Sequence, residues 1–257
     1  MAKDDKSSIP IVRASHTIRS APGLLGFSAL VNPDTKFNED GDFAARIHFT
    51  EAQQAVMADL VESKVIEPLF ADLEKLAGKK LKRTTGAKYL EDKLQPPREG
   101  SKIELPSIQL KCAASFVSKR GETAGERIQK TLKAWDNAGT LLDLGKLRTG
   151  MGSTIQLVFT PGLYTGPLTK GYAEPTLRLE GIIVLKNVPW GVGQGGNSGD
   201  AMSEAELQAL MGGEDIDTDL AQFAGAKASW APGDPEDTPA KAVVPEDNYD
   251  LNDDIPF

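Results

Sequence analysis

In the stretch GDFAARIHF, Phe43, Ala45, Ile47 and Phe49 alternate with Ala44, Arg46 and His48, a period of two that predicts a strand with one buried face. The pattern then changes. From Thr50 to Gly78 the apolar positions Val56, Met57, Leu60, Val61, Val65, Ile66, Leu69, Phe70, Leu73 and Leu76 recur at helical spacing. Thr50 with Gln53 forms a capping box at the start, Gly78 is the stop, and Pro68 is expected to kink or divide the helix. Strand signals return after a basic, turn-rich segment, in IQLKCAASFV, RIQKTLKAWD, STIQLVFTP and TLRLEGIIVL, with LLGFSALV as an earlier candidate. The turns between them are marked by DNAGT and by the loop PGLYTGPLTKGYAEP. Five or six strands, one inserted helix and long loops predict a mainly β protein. The leading candidate is the oligonucleotide-binding (OB) fold, a five-stranded antiparallel Greek-key barrel.

Charge divides the chain. Residues 1–190 hold 27 Lys plus Arg against 22 Asp plus Glu, whereas 191–257 hold 2 against 15, a body of +5 joined to a tail of −13. The first part reads as the folded domain. The second is rich in Gly, Pro and acids and reads as a disordered acidic tail. A basic body points to a polyanionic partner and an acidic tail to an interaction role. The chain has no apolar run near the roughly 18 residues that span a bilayer, so no membrane partner is expected and a cytoplasmic location is the expectation.

Several chemistries are set aside by context. One cysteine, Cys112, and two histidines, His16 and His48, offer few zinc ligands, and no metal is expected. Gly191, Gly193 and Gly196 match a dinucleotide fingerprint, but acidic tail follows them where a helix and a second strand are required, so no cofactor is expected. Asp215, Asp217 and Asp219 imitate a calcium loop that lacks its glycine and its closing glutamate. No serine or cysteine stands in a nucleophile motif, and an enzyme is not expected.

Base stacking needs exposed rings beside cations. In IQKTLKAWD, Trp135 shares the polar face with Gln129, Thr131 and Lys133, opposite Ile128, Leu132 and Ala134. Tyr164 and Tyr172 fall in the Gly/Pro-rich loop beside Lys170. Phe43, Phe49, Phe116 and Phe159 fall in apolar rows and read as core, as does Cys112. Lys79, Lys80, Lys82 and Arg83 form the densest basic run, and Lys111, Lys119, Arg120, Lys130, Lys133, Lys146 and Arg148 add cations on strands and turns. These are the candidate phosphate contacts, if folding brings them into one groove.

The chain closes on Asp253, Asp254, Ile255, Pro256 and Phe257. This ending resembles the acidic tip of bacterial single-stranded DNA-binding proteins, and the resemblance implies recruitment of replication and repair enzymes through those five residues. The body resembles bacteriophage single-stranded DNA-binding proteins of the T7 type, on GDFAARIHFT, IQLKCAASF, GMGSTIQLVFTPGLYT and LRLEGIIVLKNV. That resemblance implies sequence-independent binding of single-stranded DNA in phage replication, recombination or repair, in the host cytoplasm, with phage or host proteins as partners and self-association allowed. The tail would compete with DNA for the basic groove. The alternative is an adaptor that captures host replication proteins through the tip without binding DNA.

Overall fold

The computed structural model of the chain describes residues 9–189 apart from 98, 102 and 119–124. Lys119, Arg120, the acidic tail and its tip lie outside the described residues. In chain order the elements begin with β1 (Ile11–Arg13), β2 (Ile18–Arg19), β3 (Gly23–Asp34) and β4 (Asp42–His48). A helical run follows, made of α1 (Glu51–Val61), a π turn (Glu62–Ile66) and α2 (Glu67–Ala77). Next come β5 (Lys82–Arg83), α3 (Gly86–Lys93), β6 (Ser107–Ala113), β7 (Ser115–Val117), β8 (Arg127–Gln129), β9 (Lys133–Trp135) and β10 (Leu141–Leu142). The short α4 (Leu144–Leu147), β11 (Thr154–Tyr164) and β12 (Tyr172–Lys186) complete the described chain.

Five of these strands close on themselves in the order β3, β4, β6, β12, β11 and back to β3. The closing seam pairs Thr154 with Leu24 and Ile155 with Gly23. Numbered within the barrel alone the order is 1-2-3-5-4-1, the Greek-key arrangement of the OB fold. Four seams are antiparallel and β6 meets β12 in parallel at Lys111 and Arg178, so the barrel is mainly antiparallel. A parallel neighbour requires a long crossover, and the chain between β6 and β12 supplies it.

The interior is filled by the alternating row that the sequence predicts: Phe43, Ala45, Ile47 and Phe49 are at most 4% exposed, beside Ile108, Leu110, Cys112, Leu157, Phe159 and Leu179. The helical run lies between β4 and β6 in the chain and buries Met57, Val61, Val65, Ile66, Leu69 and Leu73 in the same core. Its capping box forms as predicted, with Thr50 Oγ1 accepting from Gln53 N–H and Gln53 Oε1 accepting from Thr50 N–H. Pro68 sits in the first turn of α2, immediately after the π turn. Proline has no N–H to donate to the carbonyl four residues back, and the wider turn absorbs that lost bond. Gly78 ends the helix in the left-handed conformation at φ +63°.

Other expectations are revised. The segment read as turns contains α3, capped by Thr85 Oγ1 accepting from Lys88 N–H. IQLKCAASFV breaks at Ala114 and RIQKTLKAWD breaks between Gln129 and Lys133, so each forms two short strands. His48, expected as an exposed strand residue, is buried.

Candidate nucleic-acid interface

The outer face of β4 and β6 is crossed by rows fixed by register. One row runs Ala29, Ala44, Lys111, Arg178 across four strands, and the next sets Arg46 beside Gln109. Ala29 and Ala44 make a low floor in the first row, with Ala44 itself only 4% exposed. Lys111 is exposed at its edge. Arg46 lies across the second row, its Nη2 donating to Gln109 Oε1 at 3.2 Å and its Nη1 to Ser107 Oγ at 3.4 Å. Lower on the same face, Leu24 is covered by Ile103 and Leu105. The open part of the face is therefore its upper half.

Two aromatic rings stand over that half. Phe27 is 67% exposed and Phe37 84% exposed, and both line a shallow depression with Ala44, Gln109, Lys111, Asp34 and Asp42. Phe27 reaches the outside because β3 carries an irregularity between Leu25 and Ser28. Without it, residues 25 and 27 would share a face, and Leu25 is core. Phe37 is presented by the β3–β4 turn. There Asp34 Oδ1 accepts from Lys36 N–H, Asn38 Oδ1 accepts from Asp40 N–H, and Asn38 Nδ2 donates to Asp42 Oδ1, each within 3.0 Å. Those bonds hold the turn, and Lys36 Nζ lies 5.1 Å from the Phe37 ring centre. The two acidic side chains are thus engaged within the turn rather than bare beside the cations.

The β7–β8 hairpin flanks this turn, because Arg127 Nη2 donates to Asp40 Oδ2 at 3.0 Å. On the hairpin, Phe116 is half-buried rather than core, with Lys130 Nζ 5.2 Å from its ring centre. The bend at Ala114 changes the strand phase there.

The sequence-predicted site residues do not converge. Trp135 is corrected outright: it is only 4% exposed, packed with Val158 and Ile183. Its phase was read properly, since Ala134 faces the main core and Trp135 the other side, but that other side is covered. Tyr164 is the last residue of β11, half-buried opposite Glu174, and burial followed by the Glu174 charge raises its phenol pKa. Tyr172 opens β12, 39% exposed, with Lys82 Nζ 5.3 Å from its ring centre. The loop between the tyrosines is accordingly shorter than predicted.

Lys82 and Arg83 pair with Tyr172 and Ala173 where β5 meets the start of β12, with Lys79 and Lys80 just before them in the chain and Lys170 just before Tyr172. Lys80 pairs with Glu74 at 3.3 Å, and Arg83 pairs with Glu62 and Glu67. Along β12, Tyr172 precedes Arg178, the partner of Lys111, by about 20 Å at the usual rise per residue. Lys133 is exposed beside Gly181, and Lys146 and Arg148 are exposed on α4 and at its end. These cations therefore fall on separate elements of the fold, at β5, β6, β9 and α4. Of the predicted set, Lys111 joins the aromatic face, and Lys130 sits on the hairpin beside it.

Sequence reasoning missed Phe27, Phe37, Lys36 and Arg46. Phe37 had a legible signal, an aromatic beside lysine in the polar turn NPDTKFNEDG. Phe27 had none, because the strand irregularity that exposes it follows from pairing with β4. Among the described residues no helix is long and apolar enough to cross a membrane, and no cluster of His, Cys, Asp and Glu is arranged to hold a metal ion.

No protein-family model matches the chain, and no curated protein sequence does. Solved structures of phage single-stranded DNA-binding proteins are similar to it. The gp2.5 protein, a single-stranded DNA-binding protein encoded by bacteriophage T7, is 16% identical over 83% of this chain and 98% of its own, with a TM-score of 0.44. The single-stranded DNA-binding protein from bacteriophage Enc34, in complex with single-stranded DNA, is 8% identical over 69% of this chain and 90% of its own, at 0.42. The same Enc34 protein in another structure is 9% identical over 70% and 87%, at 0.40.

Proposed function

We propose that this chain binds single-stranded DNA without sequence preference and without catalysis, on the upper outer face of β4 and β6. The reading brings to this chain the ligand named for the phage proteins above. Its main support is the pair Phe27 and Phe37, two large rings left open to water at 67% and 84% exposure beside an alanine floor edged by Lys111. A phenylalanine ring has only its faces and edges to offer, and an unpaired base stacks on such a face for about 1–3 kcal/mol whatever its identity. In a duplex those faces are occupied by neighbouring bases. Lys36, Lys111 and Arg46 supply attraction for phosphates, and this part of the affinity falls with salt.

Phage replication, recombination or repair is the setting we propose. Asp253, Asp254, Ile255, Pro256 and Phe257 would dock on phage or host replication and repair proteins through an apolar ring and negative charge. The −13 tail would lie against the cationic face while no DNA is bound, and DNA would displace it.

The test is anisotropy of a labelled oligo-dT titrated with the full chain, repeated with duplex DNA and at rising salt. The double substitution Phe27→Ala, Phe37→Ala should weaken single-strand binding by tenfold or more, at about 1–3 kcal/mol per ring, with little change in thermal stability because both rings are exposed. Unchanged affinity, or equal affinity for duplex, sinks the reading.

A further inference from the structure

We propose that the bound strand continues from Phe27 across β3 onto the loop of residues 148–152, where Met151 receives a base and Arg148 and Lys146 receive phosphates. This rests on the single-strand reading above. The loop runs alongside β3 just before Phe27: Leu25 N–H donates to Ser153 O at 2.7 Å, and Gly152 N–H donates to Leu25 O at 2.8 Å. Past Leu25 the described partner of β3 is β4, so the loop and Phe27 border the same stretch of the barrel's rim.

The loop is braced rather than loose. Ser153 Oγ donates to Gly150 O at 2.8 Å and accepts from Val188 N–H at 2.9 Å, Gly150 N–H donates to Val188 O at 2.8 Å, and Asn187 Nδ2 donates to Leu147 O at 3.0 Å. A bridge between Thr149 and Pro189 completes the frame. On this frame Met151 is 46% exposed, and Arg148 takes the left-handed conformation at φ +51°. That conformation is strained for a residue with a Cβ, and an exposed apolar side chain on so ordered a support stabilises nothing in the core. Methionine is polarizable and adapts to flat partners of differing shape, as a site indifferent to base identity requires. Exposed Arg148 and Lys146, the latter 3.7 Å from Asp143, precede it on the same turn, so the loop repeats in miniature the chemistry of the Phe27–Phe37 face.

The experiment compares two labelled oligo-dT lengths, about 4 and about 16 nucleotides, the ends of the range for one OB barrel. The triple substitution Lys146→Gln, Arg148→Asn, Met151→Ala is used because asparagine accepts the left-handed conformation and all three side chains are exposed. The long oligomer should bind about tenfold more weakly and with a smaller salt dependence, by about 0.7 in log–log slope per lost phosphate contact. The short oligomer should bind as before. Equal loss for both lengths, or no loss for either, overturns the extension. If the triple variant has no effect while Phe27→Ala, Phe37→Ala does, the extension fails and the reading it rests on stands; if neither variant has an effect, both fail. A second readout is a dye on Met151→Cys, selective because Cys112 is buried at 3% exposure. Its emission should respond to the long oligomer and not to the short one, and silence toward both overturns the proposal.

Discussion

Gly181 is the floor on which Trp135 lies: a Cβ at Gly181 would stand 2.6 Å from Trp135 Cζ3 and 2.3 Å from Lys133 O. The two residues are on adjacent parallel strands, and the missing side chain lets the indole extend toward Val158 on the next strand but one. Gly181→Ala should therefore overpack this small second core and lower stability by about 1–3 kcal/mol, while Trp135→Ala removes it at about 3–5 kcal/mol. Urea unfolding measures both. A neutral Gly181→Ala would mean that both the indole and the Lys133 backbone have room to move.

The buried indole also changes what fluorescence reports. In a chain with Trp190→Phe and Trp230→Phe, Trp135 is the sole tryptophan. Its emission should be blue-shifted, and oligo-dT should not quench it. Quenching that saturates with DNA would return Trp135 to the interface.

Lysines on and off the aromatic face should separate by salt. Lys111→Gln is expected to reduce the log–log salt slope of oligo-dT binding by about 0.7, one phosphate on a single strand. Lys80→Gln should leave it unchanged, since Lys80 pairs with Glu74 in the distant Tyr172 group. Equal effects would mean that the two groups share one path.

His48 gives the fold a pH dependence. Its Nδ1 lies 2.8 Å from Leu105 O and donates to it, because a carbonyl only accepts. Burial lowers its pKa below the usual 6.5; the Leu105 bond opposes that shift, and repulsion from Arg46 adds to it. The unfolded chain then takes up the proton more readily than the folded one. The contribution to stability is intact above about pH 6.5 and is lost as pH falls through that value toward the folded pKa. Unfolding free energies at pH 7.5 and pH 5.5 should differ less in His48→Asn, which keeps a donor for Leu105, than in the parent. Equal differences would assign the acid sensitivity elsewhere.

Removing the acidic end should uncover the cations. A chain ending at Ala242 lacks Asp253 to Phe257 and is expected to bind oligo-dT more tightly at low salt, with the gain vanishing as salt is raised. Affinity that does not change with truncation would leave the tail only its role as a docking arm.

Much of this was legible along the chain because local chemistry decided it. Phe43, Ala45, Ile47 and Phe49 alternate over a short span and are buried as a row, and Thr50, Gln53 and Gly78 bound the helix through bonds that reach no farther than a turn. The mainly β class and the OB candidate followed from the number of strand signals and the single inserted helix. The chosen aromatics fared unevenly: Tyr172 is exposed as expected, Tyr164 is half-buried and Trp135 is buried. Strand phase says which side of a sheet a residue faces, and it correctly separated Trp135 from Ala134. It is silent on what covers that side, and here Val158 and Ile183 do.

The sequence by itself determined the main strands and the long helical run, the inner row of the barrel and the division between a basic body and an acidic end, because periodicity, capping and charge are properties of neighbours in the chain. Tertiary structure alone decided which rings meet solvent and which cations stand together. Phe27 turns outward through a pairing irregularity against β4, and Lys111 joins Ala44 and Arg178 only through register. Both depend on contacts between strands distant in sequence, where a shift of one residue exchanges the buried face for the exposed one.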